Sequence, residues 1–155
     1  MRIKNADEIK HANYWLIHSR NKDDVGLRIA DWALAQKFNF NVECSGPLIS
    51  HYILDANSIR LFFEHTDGGL MVGRKVGTNA LVEIPNIPLS WVYVTVKNGQ
   101  FLNAKAKIEG NTVMVSSPLV PRPLAARYAW AACPTNCNFY NRAGLPASPF
   151  TTVDS

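Results

Sequence analysis

Hydrophobic and polar positions change rhythm once along this chain, near residue 40. Between Asn21 and Lys37 apolar residues recur at helical spacing. Val25, Ile29, Trp32 and Ala33, with Gln36, share one face, and Leu27, Ala30 and Leu34 cover another, leaving a narrow polar stripe with Arg28 and Asp31. Ser19 or Asn21 supplies an N-cap, Asp23 and Asp24 sit in the first turn, where the helix dipole favours negative charge, and Lys37 lies near the end. A helix apolar over so much of its circumference expects cover on more than one side. Gly26 costs about 1 kcal/mol of helix propensity, which predicts a close neighbour against the backbone there.

After Asn39 the pattern becomes short apolar runs separated by turn residues. Leu48 to Leu54, the turn Asp55-Ala56-Asn57, and Ser58 to His65 predict a hairpin whose second strand alternates Ile59, Leu61 and Phe63 with Arg60 and Glu64. Asp67-Gly68-Gly69 opens a strand at Leu70-Met71-Val72. Trp91 to Val96, Lys97-Asn98-Gly99 and Gln100 to Ile108 predict a second hairpin with Asn-Gly at its turn, and Glu109-Gly110-Asn111 leads into Thr112 to Ser116. A Pro-rich stretch from Pro118 to Pro123 precedes a last strand, Leu124 to Ala131. Phe139 to Ser155 reads as an irregular arm held down by Phe139, Tyr140, Leu145 and Phe150 rather than by ladder hydrogen bonds. Successive strands without helices between them predict a mainly β chain, an antiparallel β-sandwich-like domain preceded by one N-terminal α-helix.

Composition narrows the picture without supplying chemistry. The chain has 155 residues, 47% apolar and 18% charged, enough for one domain with its own core. The net charge of +4 is spread along the sequence, with no cluster of Lys and Arg, so nucleic acid is not an expected partner. No apolar run reaches the ~18 residues of a spanning helix, so no membrane partner is expected. Met1-Arg2-Ile3-Lys4-Asn5 leads into no signal-peptide core, and localisation is left open. Cys133 and Cys137 bracket Pro-Thr-Asn at a spacing open to a small disulfide loop or to free thiols, and Cys44 stands alone. His11, His18, His51 and His65 form no ligand pattern with the cysteines, so neither metal nor cofactor is expected.

No serine has the Gly-flanked turn of a hydrolase nucleophile. Ser45, Ser116, Ser117 and Ser148 all read as turn or cap residues beside Gly or Pro. Glu64 and Asp67 around His65 read as an exposed hairpin end. Trp91, Tyr93, Tyr128 and Trp130 serve either the core or stacking on a sugar. His18, on a loop directly before the helix, is the residue placed to present a free imidazole as a general base.

Several of these stretches resemble a known family. Ile17-His18-Ser19-Arg20-Asn21 and its continuation through Asp31-Trp32-Ala33-Leu34-Ala35 resemble the end of the catalytic domain of bacterial sialate O-acetylesterases, SGNH-type carbohydrate esterases. Ser45-Gly46-Pro47, Gly68-Gly69-Leu70, Ala106 to Val113, Val115-Ser116-Ser117-Pro118, Arg127-Tyr128-Ala129-Trp130 and, most specifically, Asn138 to Phe150 resemble the C-terminal part of the same enzymes. The resemblance implies that residues 1–40 are the helical end of an α/β SGNH-hydrolase domain and 41–155 a C-terminal β domain. It implies for His18 the role of the base that takes the proton of a serine nucleophile and returns it to the departing sugar oxygen. The family's Asp-Ile-His-Pro reads Leu16-Ile17-His18-Ser19 here, so an apolar residue replaces the acid that orients the imidazole.

The nucleophile and oxyanion residues of the family have no counterpart in these 155 residues. The expectation is therefore a C-terminal portion inactive alone, acting on an O-acetylated sugar once completed by an SGNH domain. The relatives are often periplasmic or secreted. The alternatives are a non-catalytic β module binding carbohydrate or a partner chain, and self-association through helix 21–37, the face that would otherwise meet an N-terminal catalytic portion.

Overall fold

The alternation Ile59, Leu61, Phe63 on one strand and Val113, Val115 on another builds the centre of the molecule. In the computed structural model, which describes residues 21–96 and 99–153, these side chains are buried on one face of a sheet, with Arg60 and Met114 turned the other way. The elements are α1 (Lys22–Phe38), β1 (Leu48–Asp55), β2 (Ser58–Glu64), β3 (Leu70–Arg74), β4 (Val82–Glu83), β5 (Val92–Thr95), β6 (Leu102–Asn103), β7 (Lys105–Glu109), β8 (Thr112–Ser116), β9 (Ala125–Tyr128), β10 (Phe139–Asn141) and β11 (Phe150–Thr151). All strand pairs are antiparallel, in sheets ordered β1-β2-β8-β7, β11-β9-β5-β6 and β10-β3-β4. The inner faces of the first two enclose one core, in which Val92, Val94, Ala126 and Tyr128 meet Ile59, Leu61, Val113 and Val115. Among the described residues the fold is mainly β with one helix, as expected.

The β1–β2 hairpin turns through Ala56 (φ 43°), and β7–β8 turns at Gly110 (φ 62°), as the turn residues predict. Three strand expectations are corrected. Gln100 to Ile108 is two strands, because at Ala104 the chain leaves β5, its amide donating to Val92 O at 3.0 Å, and crosses to pair with β8. The strand expected from Leu124 to Ala131 stops at Tyr128, where Ala129 takes a left-handed conformation (φ 51°). The C-terminal arm is held by ladder hydrogen bonds as well as by its rings: β10 pairs with β3 and β11 with β9. Strands of two or three residues are too short to show a period.

Rings from three sheets meet at the base of the core. Phe63 of β2 lies edge-on to Phe139 of β10 (centroids 5.1 Å apart) and to Phe150 of β11 (5.7 Å), and Tyr128 of β9 packs on both Phe139 and Phe150 at 5.7 and 5.9 Å. Beside them Asn141, wholly buried, ties distant segments together: its Nδ2 donates to Ser45 O and His65 O, both at 3.0 Å, and its Oδ1 accepts the Leu145 amide at 2.9 Å.

Helix α1 is capped as read, with Asn21 accepting from the Asp24 amide at 3.1 Å, and ends at Asn39 in the left-handed region. Its side chains find little cover among the described residues: Leu27 and Ile29 are each 63% exposed and Trp32 52%. The close neighbour expected at Gly26 is not found among the described residues, where a Cβ at that position would have nothing within 4 Å. The three cysteines are free; the Cys137 thiol donates to Pro134 O at 3.6 Å and makes no bridge to Cys133.

Close approach occurs instead at Gly46, in a loop whose neighbour Pro47 accepts a hydrogen bond from the Ser148 amide at 3.2 Å. A Cβ on Gly46 would run into the carbonyl oxygen of Pro146 and lie 3.1 Å from the Leu145 carbonyl carbon. Gly46→Ala should cost about 3 kcal/mol and lower the melting temperature by roughly 10 °C, whereas Gly26→Ala should raise stability by about 1 kcal/mol. Thermal unfolding followed by circular dichroism checks both; an unchanged melting temperature for Gly46→Ala would contradict the contact.

Candidate functional site

Of the residues singled out in the sequence, His18 lies outside the described residues, so its surroundings are not part of this geometry. The helix that follows it is fixed to the β domain at its N-terminal end. Asp24 forms an ion pair with Lys75 Nζ at 2.9 Å, and Asn21 Nδ2 donates to Gly77 O at 2.8 Å.

The carboxylates and histidine at the end of β2 divide. Glu64 accepts from Ser50 Oγ at 3.3 Å on the β1 side, whereas His65, in the left-handed region (φ 56°), places Nδ1 3.2 Å from Glu43 Oε1. The same Glu43 oxygen accepts the backbone amides of Cys44 and Ser45 at 3.2 and 3.1 Å, and its carboxyl also shares a hydrogen bond with Asp67. Burial pushes the Glu43 carboxyl up, but the hydrogen bonds from Asp67, Ser45 and His65 and the attraction of the imidazolium outweigh it, leaving its pKa below 4.5. Asp67 moves the other way, above 3.8, because it holds a proton towards Glu43 and faces its charge. Glu43 has no sequence signal linking it to His65, since a loop contact across two elements leaves no local period.

This cluster lacks a nucleophile. Ser45 Oγ donates to Gly46 O at 3.0 Å, as a turn residue does. Among the described residues the serine nearest an imidazole is Ser50, 3.4 Å from His51 Nδ1, but that ring is stacked flat on Phe62 (4.3 Å, 9°) on an exposed strand. A cleft of about 570 Å³ between β3 and β7 has its charged lining already paired: Lys107 with Glu109 at 3.0 Å and Glu83 with Arg142 at 2.7 Å. Among the described residues no cluster of side chains is arranged to hold a metal ion, and no helix is long and apolar enough to cross a membrane.

The aromatic residues also divide. Tyr128 is a core ring, which its place next to outward-facing Arg127 on β9 dictates. On the outer face of the β11-β9-β5-β6 sheet, Thr151, Arg127, Tyr93 and Asn103 form a row across neighbouring strands. Arg127 lies over the Phe101 ring at 3.9 Å and beside the Trp130 ring at 5.4 Å. Trp91 packs edge-on to Tyr93 (6.4 Å) and donates its indole N–H to Thr135 O at 2.6 Å.

No protein-family model matches the sequence, and no curated protein matches it. The fold is shared with a carbohydrate acetylesterase. The crystal structure of that enzyme, a novel carbohydrate acetylesterase from Xanthomonas citri, superposes with a TM-score of 0.77 at 29% sequence identity over 90% of this chain. The present chain spans 29% of the length of the acetylesterase. It therefore shares with that enzyme a carbohydrate-esterase-like β fold, within which the described residues bring together the Glu43–His65–Asp67 cluster and the Arg127 aromatic face.

The opposed shifts of Glu43 and Asp67 have a definite pH consequence. Glu43, with a lowered pKa, contributes stability above 4.5 that is lost as pH falls through its folded value; Asp67, with a raised pKa, contributes below 3.8 and loses that contribution as pH rises through its own. Asp67→Asn keeps a donor to Glu43 and removes the second charge. Its melting temperature should exceed that of the wild type at neutral pH, with the gap closing below 3.8. A variant less stable than wild type at neutral pH would contradict this assignment.

Proposed function

We propose that this chain is the β-rich C-terminal portion of a sialate O-acetylesterase-like carbohydrate esterase, completing an SGNH-type catalytic domain that hydrolyses O-acetyl esters of sialic acid or related sugars. The observation that carries the reading is the fold shared with a carbohydrate acetylesterase across nine-tenths of the chain. Sialate as the sugar rests on the motif resemblance, above all the segment Asn138 to Phe150.

In this reading α1 is the seat of the catalytic domain. Its N-terminal end is pinned by Asp24 to the β domain, while Val25, Ile29 and Trp32 follow one another at helical spacing and are 42%, 63% and 52% exposed. Covering a large apolar side chain is worth about 1.5–3 kcal/mol, so these three supply a substantial docking energy. His18, a few residues before the helix, then takes the proton of a serine supplied by the catalytic domain and hands it to the leaving sugar oxygen. Among the described residues no nucleophile shares a site with oxyanion donors, the groups that give acyl transfer most of its acceleration. A non-catalytic sugar-binding module is the second reading, favoured by the exposed Trp130 ring beside Arg127.

The chain alone should release no acetate from O-acetylated sialic acid, and mixing it with an SGNH-type catalytic domain supplied as a separate polypeptide should produce release. His18→Ala should lower that release by roughly 10²-fold or more. Trp32→Glu should abolish complementation while leaving the melting temperature of the chain nearly unchanged. If the mixture releases no more acetate than the catalytic polypeptide alone, the esterase reading is wrong.

A further inference from the structure

We propose that the outer face of the β11-β9-β5-β6 sheet is a binding site for a carboxylated pyranose, with Arg127 gripping the carboxylate and Trp130 stacking on the sugar ring. This deepens the sugar-binding reading above and is independent of the esterase reading.

The argument begins with how Arg127 is held. Arg28, Arg60 and Arg142 each meet a carboxylate, at 3.8, 3.2 and 2.7 Å. Arg74, Arg122 and Arg127 meet none among the described residues, and of these three Arg127 is the one packed against aromatic rings. Its Nε donates to Thr151 Oγ1 at 3.2 Å, and its carbon centre lies 3.9 Å from the Phe101 ring and 5.4 Å from the Trp130 ring. One edge of the guanidinium is thus anchored and its plane is supported by aromatic rings, while the terminal N–H groups have no protein carboxylate to satisfy them. A planar, pre-oriented fork of this kind matches a carboxylate bidentately, and the order already imposed on it reduces the entropy lost on binding.

The surroundings favour a sugar over a simple anion. Trp130 is 53% exposed and lines, with Pro134 and Pro149, a cleft of about 350 Å³. An exposed indole beside a cation offers an apolar plate for the C–H face of a pyranose. Asn103, at the end of the row through Tyr93, supplies amide donor and acceptor groups for hydroxyls on the same side. Tyr93 is itself braced edge-on by Trp91, whose indole N–H is tied to Thr135 O. Sialic and uronic acids share the required chemistry, a ring with a carboxylate on it.

The test uses the 155-residue chain and three ligands: methyl α-sialoside, methyl glucuronide and neutral methyl glucoside. Binding is followed by amide chemical-shift titration and indole fluorescence, with the methyl ester of the better acidic ligand as the ligand-side control. An acidic glycoside should bind with shifts confined to the Arg127 face, and its methyl ester and the neutral glucoside should bind at least about tenfold more weakly. Arg127→Lys, which keeps the charge and loses the fork, and Trp130→Ala should each weaken the acidic ligand by about tenfold or more, with melting temperatures near that of the wild type. The better of the two acidic arms identifies the sugar. Equal binding of acidic and neutral sugars would overturn the carboxylate site while leaving a sugar-binding module standing, and failure of every sugar would overturn both. Neither outcome bears on acetate release. Should a variant fail to fold, the comparison of acid with methyl ester on the wild type decides the matter alone.

Discussion

The packing of Phe63, Tyr128, Phe139 and Phe150 is the constraint on which the rest of the domain rests. Each ring comes from a different strand, and together the strands belong to three sheets. Edge-to-face packing adds about 0.5–1.5 kcal/mol per pair to the energy of burial, and it does so here between elements far apart in sequence. Two of the rings, Phe139 and Phe150, belong to the C-terminal arm, so the core is incomplete until that arm has folded back. Asn141 fixes the same arm by polar means, closing on the Ser45 and His65 carbonyls in a setting where an unsatisfied group would cost about 1–3 kcal/mol.

This arrangement separates two surfaces of different character. Segments 43–47 and 65–69, drawn together by Asn141, form a tightly bonded corner whose carboxylates and imidazole are mutually satisfied. Such a corner is suited to holding a boundary in place. The outer face of the second sheet is less saturated: a cation lies among rings, with an exposed indole at its rim. Helix α1 belongs to neither surface. It is tied to the β strands near its first turn and presents its apolar sides outward.

Much of this architecture was legible in the sequence wherever a strand was long enough to repeat. The alternation of Ile59, Leu61 and Phe63 identified an inward face, the Asn21 cap and paired aspartates marked where α1 begins, and Glu109-Gly110-Asn111 fixed the turn between β7 and β8. β10 and β11 were missed because strands so short carry no period, and their place is set by the edges they complete. The crossing at Ala104 was missed for a related reason, since a strand that changes sheets keeps its apolar composition. The site residues were less legible still. Phe101 and Arg127 come together across strands, and Glu43 finds His65 across a loop, so no local spacing announces either contact. Tyr128 was the exception that a closer reading resolves: with Arg127 outward on β9, its neighbours Ala126 and Tyr128 must point inward.

Strand β1 carries a consequence for how the molecule behaves among its own copies. It is an edge of its sheet, and Tyr52, Ile53 and Leu54 along it are 38%, 52% and 48% exposed. Its outer row of amides and carbonyls is a template for another strand, the geometry by which folded domains join into ribbons. The register shift between Ile49 and His51 interrupts that row and confines the template to the stretch nearest the turn. Crowded molecules of this chain would thus meet first at the tip of the β1–β2 hairpin, where solubility is decided by a few side chains rather than by net charge.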